Sequence, residues 1–432
     1  MNFYNLKHKE EQLNFKEATI KGQGKDKGLF FPEDISKFSN EFLQNLPNLS
    51  NEEIAFQVMK DFAGDEIPEA ELRKIVAETI AFEIPLKKVT ENISVLELFH
   101  GPTLAFKDVG ARFMSRCLGY FLKNETRKVT VLVATSGDTG GAVANGFYDV
   151  EGIEVVILYP KNRVSPVQEK QLTALGKNIH ALEVNGSFDD CQALVKQAFS
   201  DESLNEKLLL TSANSINVAR WLPQQIYYVL ALKQWLKNNS ENPVICVPSG
   251  NFGNICAGIL AHHRGLPVEH FIAACNVNDV VPEYLRTEIL KPKETVATIS
   301  NAMDVGDPSN FVRILELFDK EFNQVKNKLS GYTIDDEETL KTIKRVEKDY
   351  GYVLDPHGAV AFVALEKYLT ENDGKGFFLE TAHPVKFPDS VEQATGKSVE
   401  IPKSLEELMT QEKFTTEINP QYEELKEFLL KK

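Results

Sequence analysis

From about residue 129 the chain alternates short runs of β-branched and aliphatic residues with loops and amphipathic segments. TVLVAT, Thr130 to Thr135, predicts a buried strand, Ser136 to Gly141 a tight loop, and the following AVANGFYDV a helix. The alternation continues through VVILYP, SPVQEKQLTALG, HALEV and FDDCQALVKQAF. Such a βαβα series implies a parallel sheet covered by helices, since parallel neighbours need long crossovers. A second series begins after a helical stretch predicted over Ile216 to Leu236. In it VICVP (Val244 to Pro248) is a strand, SGNFGN a loop, ICAGILAHHRG a helix ending at Gly265, and FIAAC another strand. Two series predict an α/β protein of two parallel-sheet lobes with a cleft between them.

The first 90 or so residues differ. Helical patterns such as NEEIAFQVMKDFA, a Gly-rich turn over Gly22 to Gly28, and punctuation by Pro68 and Pro85 predict a separate N-terminal α/β domain over residues 1–92. The remainder, 93–432, is expected to form the two-lobed region, with the smaller lobe over about 110–210. The charged run Asp335 to Lys348 predicts a solvated helix, and the last thirty or so residues a polar helical tail.

Composition narrows the classes. The 432 residues include 48 Lys plus Arg against 63 Asp plus Glu, a formal charge of −15, with 42% hydrophobic and 26% charged residues. That balance is globular, neither disordered nor fibrous. The acidity argues against nucleic acid or an anionic membrane as partner, but leaves a small anionic substrate open. The start, MNFYNLKHKEEQLNF, lacks the apolar stretch of a signal peptide, and no later run approaches a membrane span, so a cytoplasmic protein is expected. Five scattered cysteines without a C-x-x-C support neither a disulfide framework nor a zinc ribbon. His262 and His263 are adjacent, which puts them on different helix faces, so no metal site is expected.

Three segments carry candidate chemistry. In LFHGPTLAFKDVGARF, Lys107 stands in apolar surroundings that disfavour its ammonium, and a neutral amine can form a Schiff base with an aldehyde cofactor. In VPSGNFGNICAG, Gly250 and Gly253 permit close backbone approach, and the N–H groups of Asn251, Phe252, Gly253 and Asn254 open a helix where an anion such as a phosphate monoester is favoured. ATSGDTGGA places the hydroxyls of Thr135, Ser136 and Thr139 at another helix start, suited to a carboxylate or phosphate. Each segment alone has an ordinary structural reading: a solvated lysine, a βα turn, a capped helix. Neither Gly-rich loop matches G-x-G-x-x-G or G-x-x-x-x-G-K-[ST], which disfavours a nucleotide-dependent enzyme.

Together these segments resemble the fold type II pyridoxal-phosphate enzymes, and among them the threonine synthase family. HGPTLAFKD, ATSGDTG, TSANSINVAR, PSGNFGN, MDVGDPSNF, DPHGAVA and ETAHPVKF occur in that family's order, and GLFFPE looks like its amino-terminal domain. The resemblance implies Lys107 as Schiff-base lysine and proton shuttle, the loop Gly250 to Asn254 on the cofactor phosphate, and Thr381 on the pyridine nitrogen. It implies Asp138 near the cofactor's 3′ oxygen, where shorter members carry Asn. It further implies Thr135, Ser136 and Thr139 on the substrate carboxylate, and Asn214, Ser215 and Arg220 on a substrate phosphate. Ser215 is expected to cap a helix carrying Arg220 in its second turn. The implied reaction converts O-phospho-L-homoserine and water to L-threonine and phosphate, by a monomer or a homodimer. A related lyase or dehydratase on another phosphorylated or hydroxy amino acid would share the same lobes, and a non-catalytic α/β binding protein would leave Lys107 an incidental residue.

Overall fold

The structure, a computed structural model, describes residues 1–123 and 128–431; Lys432, the end of the expected tail, lies outside them. Near the N-terminus β1 (Asn2–Asn5), β2 (Gln12–Asn14) and β3 (Phe30–Pro32) pair antiparallel in the order β2-β1-β3. NEEIAFQVMKDFA forms the predicted helix, Asn51–Ala63, started by Ser50, whose hydroxyl accepts the Glu53 N–H.

The larger lobe is built on a six-stranded sheet. Its strands are β4 (Leu86–Lys88), β5 (Ile93–Glu97), β10 (Val244–Pro248), β11 (His270–Cys275), β12 (Leu329–Thr333) and β13 (Gly376–Glu380), in the order β12-β11-β10-β13-β5-β4. All neighbours are parallel except β4, which pairs antiparallel with β5. The smaller lobe carries β6 (Val129–Ala134), β7 (Ile153–Pro160), β8 (Ile179–Val184), β9 (Leu209–Thr211) and β14 (Thr415–Ile418), all parallel, in the order β14-β8-β7-β6-β9. Every residue of β6 and of β10 is buried, which is why both read as unbroken apolar runs rather than alternating ones.

Three sequence expectations change. The helix after β6 begins at Asp138 rather than after Gly141, because Gly137 turns at φ 135° and the Thr135 hydroxyl accepts the N–H groups of Gly137 and Gly140, at 3.0 and 2.9 Å. The stretch 216–236 is not one helix: Val218–Trp221 and Gln225–Trp235 are separated by a tight turn over Leu222–Gln224, where Pro223 cannot donate to an α-helical ladder. The C-terminal tail is not wholly helical, since β14 lies on the edge of the small-lobe sheet and Leu425 and Leu429 of the last helix are buried with Leu194 and Ile418. The helix predicted over 335–348 runs Asp336–Tyr350 and buries a stripe of Thr339, Thr342, Ile343 and Val346.

One apolar core joins the N-terminal region to both lobes. Phe15 packs on Phe113 and Phe121 with ring centroids 6.4 and 6.1 Å apart, and Phe31 stacks on Trp221 at 5.9 Å. The N-terminal region therefore braces the segments that carry the candidate chemistry.

Candidate active site

The segments singled out in the sequence lie at the C-terminal ends of parallel strands, where open α/β sheets place their ligands. Thr135 and Ser136 follow β6, Asn214 and Ser215 follow β9, Gly250 to Asn254 follow β10, and Thr381 follows β13. Lys107 opens the helix Lys107–Leu122, reached from β5 through a loop in which Leu104 adopts a left-handed φ of 55°. That strained conformation is held from both sides: Leu104 N–H donates to Gly101 O, and Leu104 O accepts the His383 N–H, each at 3.0 Å. Phe106 N–H donates to Thr381 O at 2.9 Å, and the Tyr227 hydroxyl donates to Phe106 O. The residue before Lys107 is thus tied both to Thr381 and to the helix after Arg220.

Lys107 Nζ lies 3.9 Å from Asp138 Oδ2, too far for a hydrogen bond. Burial pushes the Lys107 ammonium down to about 8; the carboxylate of Asp138 opposes this, while Lys386 and Arg220 add to it. Asp138 is itself buried, which alone would raise its pKa, but Lys386 and Lys107 outweigh burial and hold it well below the usual carboxylate range. Lys386 Nζ is 2.8 Å from Asp138 Oδ1, and Gln168 Nε2 donates to the same oxygen at 2.9 Å.

The loop after β10 enters its helix, Gly253–His263, through Phe252 in a left-handed conformation at φ 61°. The unsatisfied N–H groups at the start of that helix are its dipole-positive end. Asn254 accepts the Tyr228 hydroxyl at its side-chain oxygen at 2.7 Å, while its Nδ2 is buried without a partner. A Cβ on Gly250 would stand 2.8 Å from Met303 Cα, so the loop needs glycine to lie against that neighbouring segment. Asn310 ties this loop to the one after β9: its N–H donates to Asn251 O at 3.1 Å and its Nδ2 to Ser215 Oγ at 3.1 Å.

Arg220 is buried, its Nη1 donating to Ala213 O and its Nε left without a partner. It lies against the Lys107 helix, since a Cβ on Gly110 would come within 3.0 Å of that Nε. Burial lowers its pKa to about 10, with Tyr227 and Asp108 opposing, so it stays charged at neutral pH. The expected capping by Ser215 is not found: Asn217 caps the Val218–Trp221 helix by accepting the Ala219 N–H at 2.9 Å, and Arg220 is that helix's third residue. Ser215 instead receives Asn310. Asn214 keeps a buried Oδ1 without a partner, and Ser136 and Thr139 are half-buried at the start of their helix.

Four further residues were not singled out by sequence reasoning. Lys386 is fully buried and also donates to Thr103 O at 2.8 Å; it stood in ETAHPVKF without drawing attention. Arg313, two residues past MDVGDPSNF, donates to Phe30 O, Ser215 O and Ile216 O and stacks over Trp221, clamping the N-terminal region to the Asn214–Ser215 loop. Tyr227 and Gln168 had no local motif to mark them. DPHGAVA has a structural role: Asp355 caps the helix Pro356–Glu371, and its N–H donates to buried Glu380 at 2.6 Å. Among the described residues no cluster of three or more His, Cys, Asp or Glu could hold a metal ion, and no helix is long and apolar enough to cross a membrane.

Three family models match the chain: threonine synthase N terminus over residues 2–80, pyridoxal-phosphate dependent enzyme over 80–376, and threonine synthase C-terminal over 358–429. The threonine synthase of Haemophilus influenzae is 46% identical over 431 residues, covering 100% of both chains. The chain belongs to the threonine synthase family. The crystal structure of the Escherichia coli threonine synthase superposes with a TM-score of 0.93 at 44% identity over 100% of both chains. A pyridoxal-phosphate-bound threonine synthase from Brucella melitensis gives 0.93 at 35% identity, over 99% of this chain and 98% of that one. The protein is accordingly a fold type II pyridoxal-phosphate-dependent enzyme of the threonine synthase family, acting at the last step of threonine biosynthesis. The residues present suit that cofactor: a lysine with a weakly held proton for the aldehyde, and an orphaned amide in a helix-start loop for the phosphate.

Proposed function

We propose that the substrate is O-phospho-L-homoserine, which with water yields L-threonine and phosphate in the cytoplasm. The observation that carries this reading is a pair of separate anion-receptive surfaces, one beside Lys107 and the other tied through Asn310 to the loop after β9. The first is the buried guanidinium of Arg220, whose Nε has no partner; the second is the helix start at Gly250 to Asn254. A phosphorylated cofactor and a phosphorylated substrate need two such surfaces. Pyridoxal phosphate, joined to Lys107, supplies the electron sink that lets a proton leave the substrate Cα.

In this reading Lys107 takes the Cα proton once substrate has displaced it, and its neutral amine, favoured by burial, is the form able to do so. The head of the helix and its N–H groups hold the cofactor phosphate, and Thr381 offers a neutral hydroxyl to the pyridine nitrogen. Asp138 stands by the 3′ oxygen. Ser136, Thr139 and the spare O–H of Thr135 receive the substrate carboxylate. Arg220, with Asn214 and Ser215, receives the substrate phosphate through a forked, permanently charged donor.

Incubating the enzyme with O-phospho-L-homoserine and analysing the products tests the reading. Threonine with equimolar phosphate is expected; 2-oxobutyrate instead would assign a dehydratase. Lys107→Ala is expected to lose both the yellow lysine-bound cofactor and turnover. Yellow colour retained in that variant would remove Lys107 from its role.

A further inference from the structure

Two lysines, not one, face Asp138. Lys386 approaches Oδ1 at 2.8 Å and Lys107 approaches Oδ2 at 3.9 Å. The shorter contact belongs to the lysine with no exposure, which is also anchored to Thr103 O, in the loop leading to Lys107. Gln168 adds a second donor to Oδ1, and Gln171 a second donor to Thr103 O at 3.0 Å. Lys386 thus links three pieces: the segment after β13, the loop before Lys107, and the small-lobe helix that starts at Asp138.

A buried carboxylate satisfied by a 2.8 Å ion pair has little left to offer a second ammonium at 3.9 Å. Without Lys386, Asp138 would be the natural partner of Lys107 and would hold it as a salt-bridged cation. A protonated lysine can neither condense with an aldehyde nor remove a proton. The other charged group bearing on Lys107 is Arg220, also a cation; Asp108, next in sequence, is turned away into hydrogen bonds from Thr103.

We propose that Lys386 is a positioning residue for Lys107: it occupies Asp138 as that carboxylate's own ion-pair partner and places a second positive charge beside Lys107, leaving the Lys107 amine free. This rests on Lys107 being the cofactor lysine. It also accounts for how a carboxylate can stand near the cofactor's 3′ oxygen, where a bare negative charge would repel a phenolate: Lys386 neutralises it.

The test follows cofactor attachment rather than turnover. The full-length chain, stripped of cofactor, is mixed with pyridoxal phosphate across a pH series, and the visible absorbance of the lysine-bound form gives the midpoint for Lys107. Lys386→Met is expected to raise that midpoint by about one pH unit, because Asp138 then holds the Lys107 proton. Asp138→Asn is expected to lower it, and the double variant, which removes both members of the Lys386–Asp138 ion pair, to return within a few tenths of the wild-type value. Lys386→Arg, which keeps the charge, should stay nearer wild type than Lys386→Met. A purely structural Lys386 would lower the melting temperature and leave the midpoint where it was, which overturns the proposal. If the double variant shifts as far as Lys386→Met, the proposal is equally overturned. Absence of any coloured species in the wild type would instead sink the assignment of Lys107 itself.

Discussion

After β6 the Thr135 hydroxyl turns back into its own loop and accepts from Gly137 and Gly140, whereas after β10 the corresponding loop leaves Asn254 Nδ2 buried and unpaired. Both are strand, Gly-rich loop and helix, written in nearly the same residue types. The small-lobe loop satisfies the N–H groups of Gly137 and Gly140 internally, with the glycine at φ 135° at the turn. The large-lobe loop is held from outside, by Asn310, Tyr228 and the Met303 segment, and keeps its own donors open. A loop that must receive a phosphate on its helix-start N–H groups cannot close those bonds on itself; a loop that meets a carboxylate through side-chain hydroxyls can spend two of its N–H groups on its own shape.

That contrast can be broken at its outer support first. Gly250→Ala drives a methyl group into Met303 Cα, and overpacking of about 1–3 kcal/mol should weaken cofactor affinity roughly ten- to hundredfold. Fluorescence titration of the stripped enzyme with pyridoxal phosphate measures it, and an unchanged affinity would show that the loop does not hold the phosphate. Thr135→Val strands two buried N–H groups, which should lower unfolding stability by about 2 kcal/mol in urea while cofactor affinity hardly moves. A large loss of cofactor with stability intact would erase the distinction between the loops. The smallest effect is expected from Tyr228→Phe, which frees the Asn254 amide to rotate and should cost about 1 kcal/mol of cofactor binding, read by the same titration.

How much of this was legible in the sequence depended on whether a residue's partners were near it in the chain. The buried strands β6 and β10 announced themselves because both of their faces are covered, and the loops that follow them inherited their positions. Lys107 stood out through its motif. Lys386 did not, because what makes it unusual is full burial against Asp138, some 250 positions earlier, and no local pattern records that contact. Arg313 was invisible for the same reason: its three backbone acceptors lie at Phe30, Ser215 and Ile216. Ser215 misled as a cap because Asn217, two residues on, has the same chemistry and the better position. The C-terminal strand was missed because four residues, TTEI, three of them exposed, carry no strand periodicity.

That short strand also bears on how the enzyme is made. Thr415 Oγ1 donates to Ala181 O across 234 positions of chain, so the edge of the small-lobe sheet is assembled from residues synthesised long after the strand they pair with. A nascent chain emerging from the ribosome can build β6 to β9 early, but must wait for β14 before that sheet is finished. Contacts of such long sequence separation slow folding. The flank of β8 is an unpaired strand edge until β14 has been made, open to wrong neighbours in the meantime.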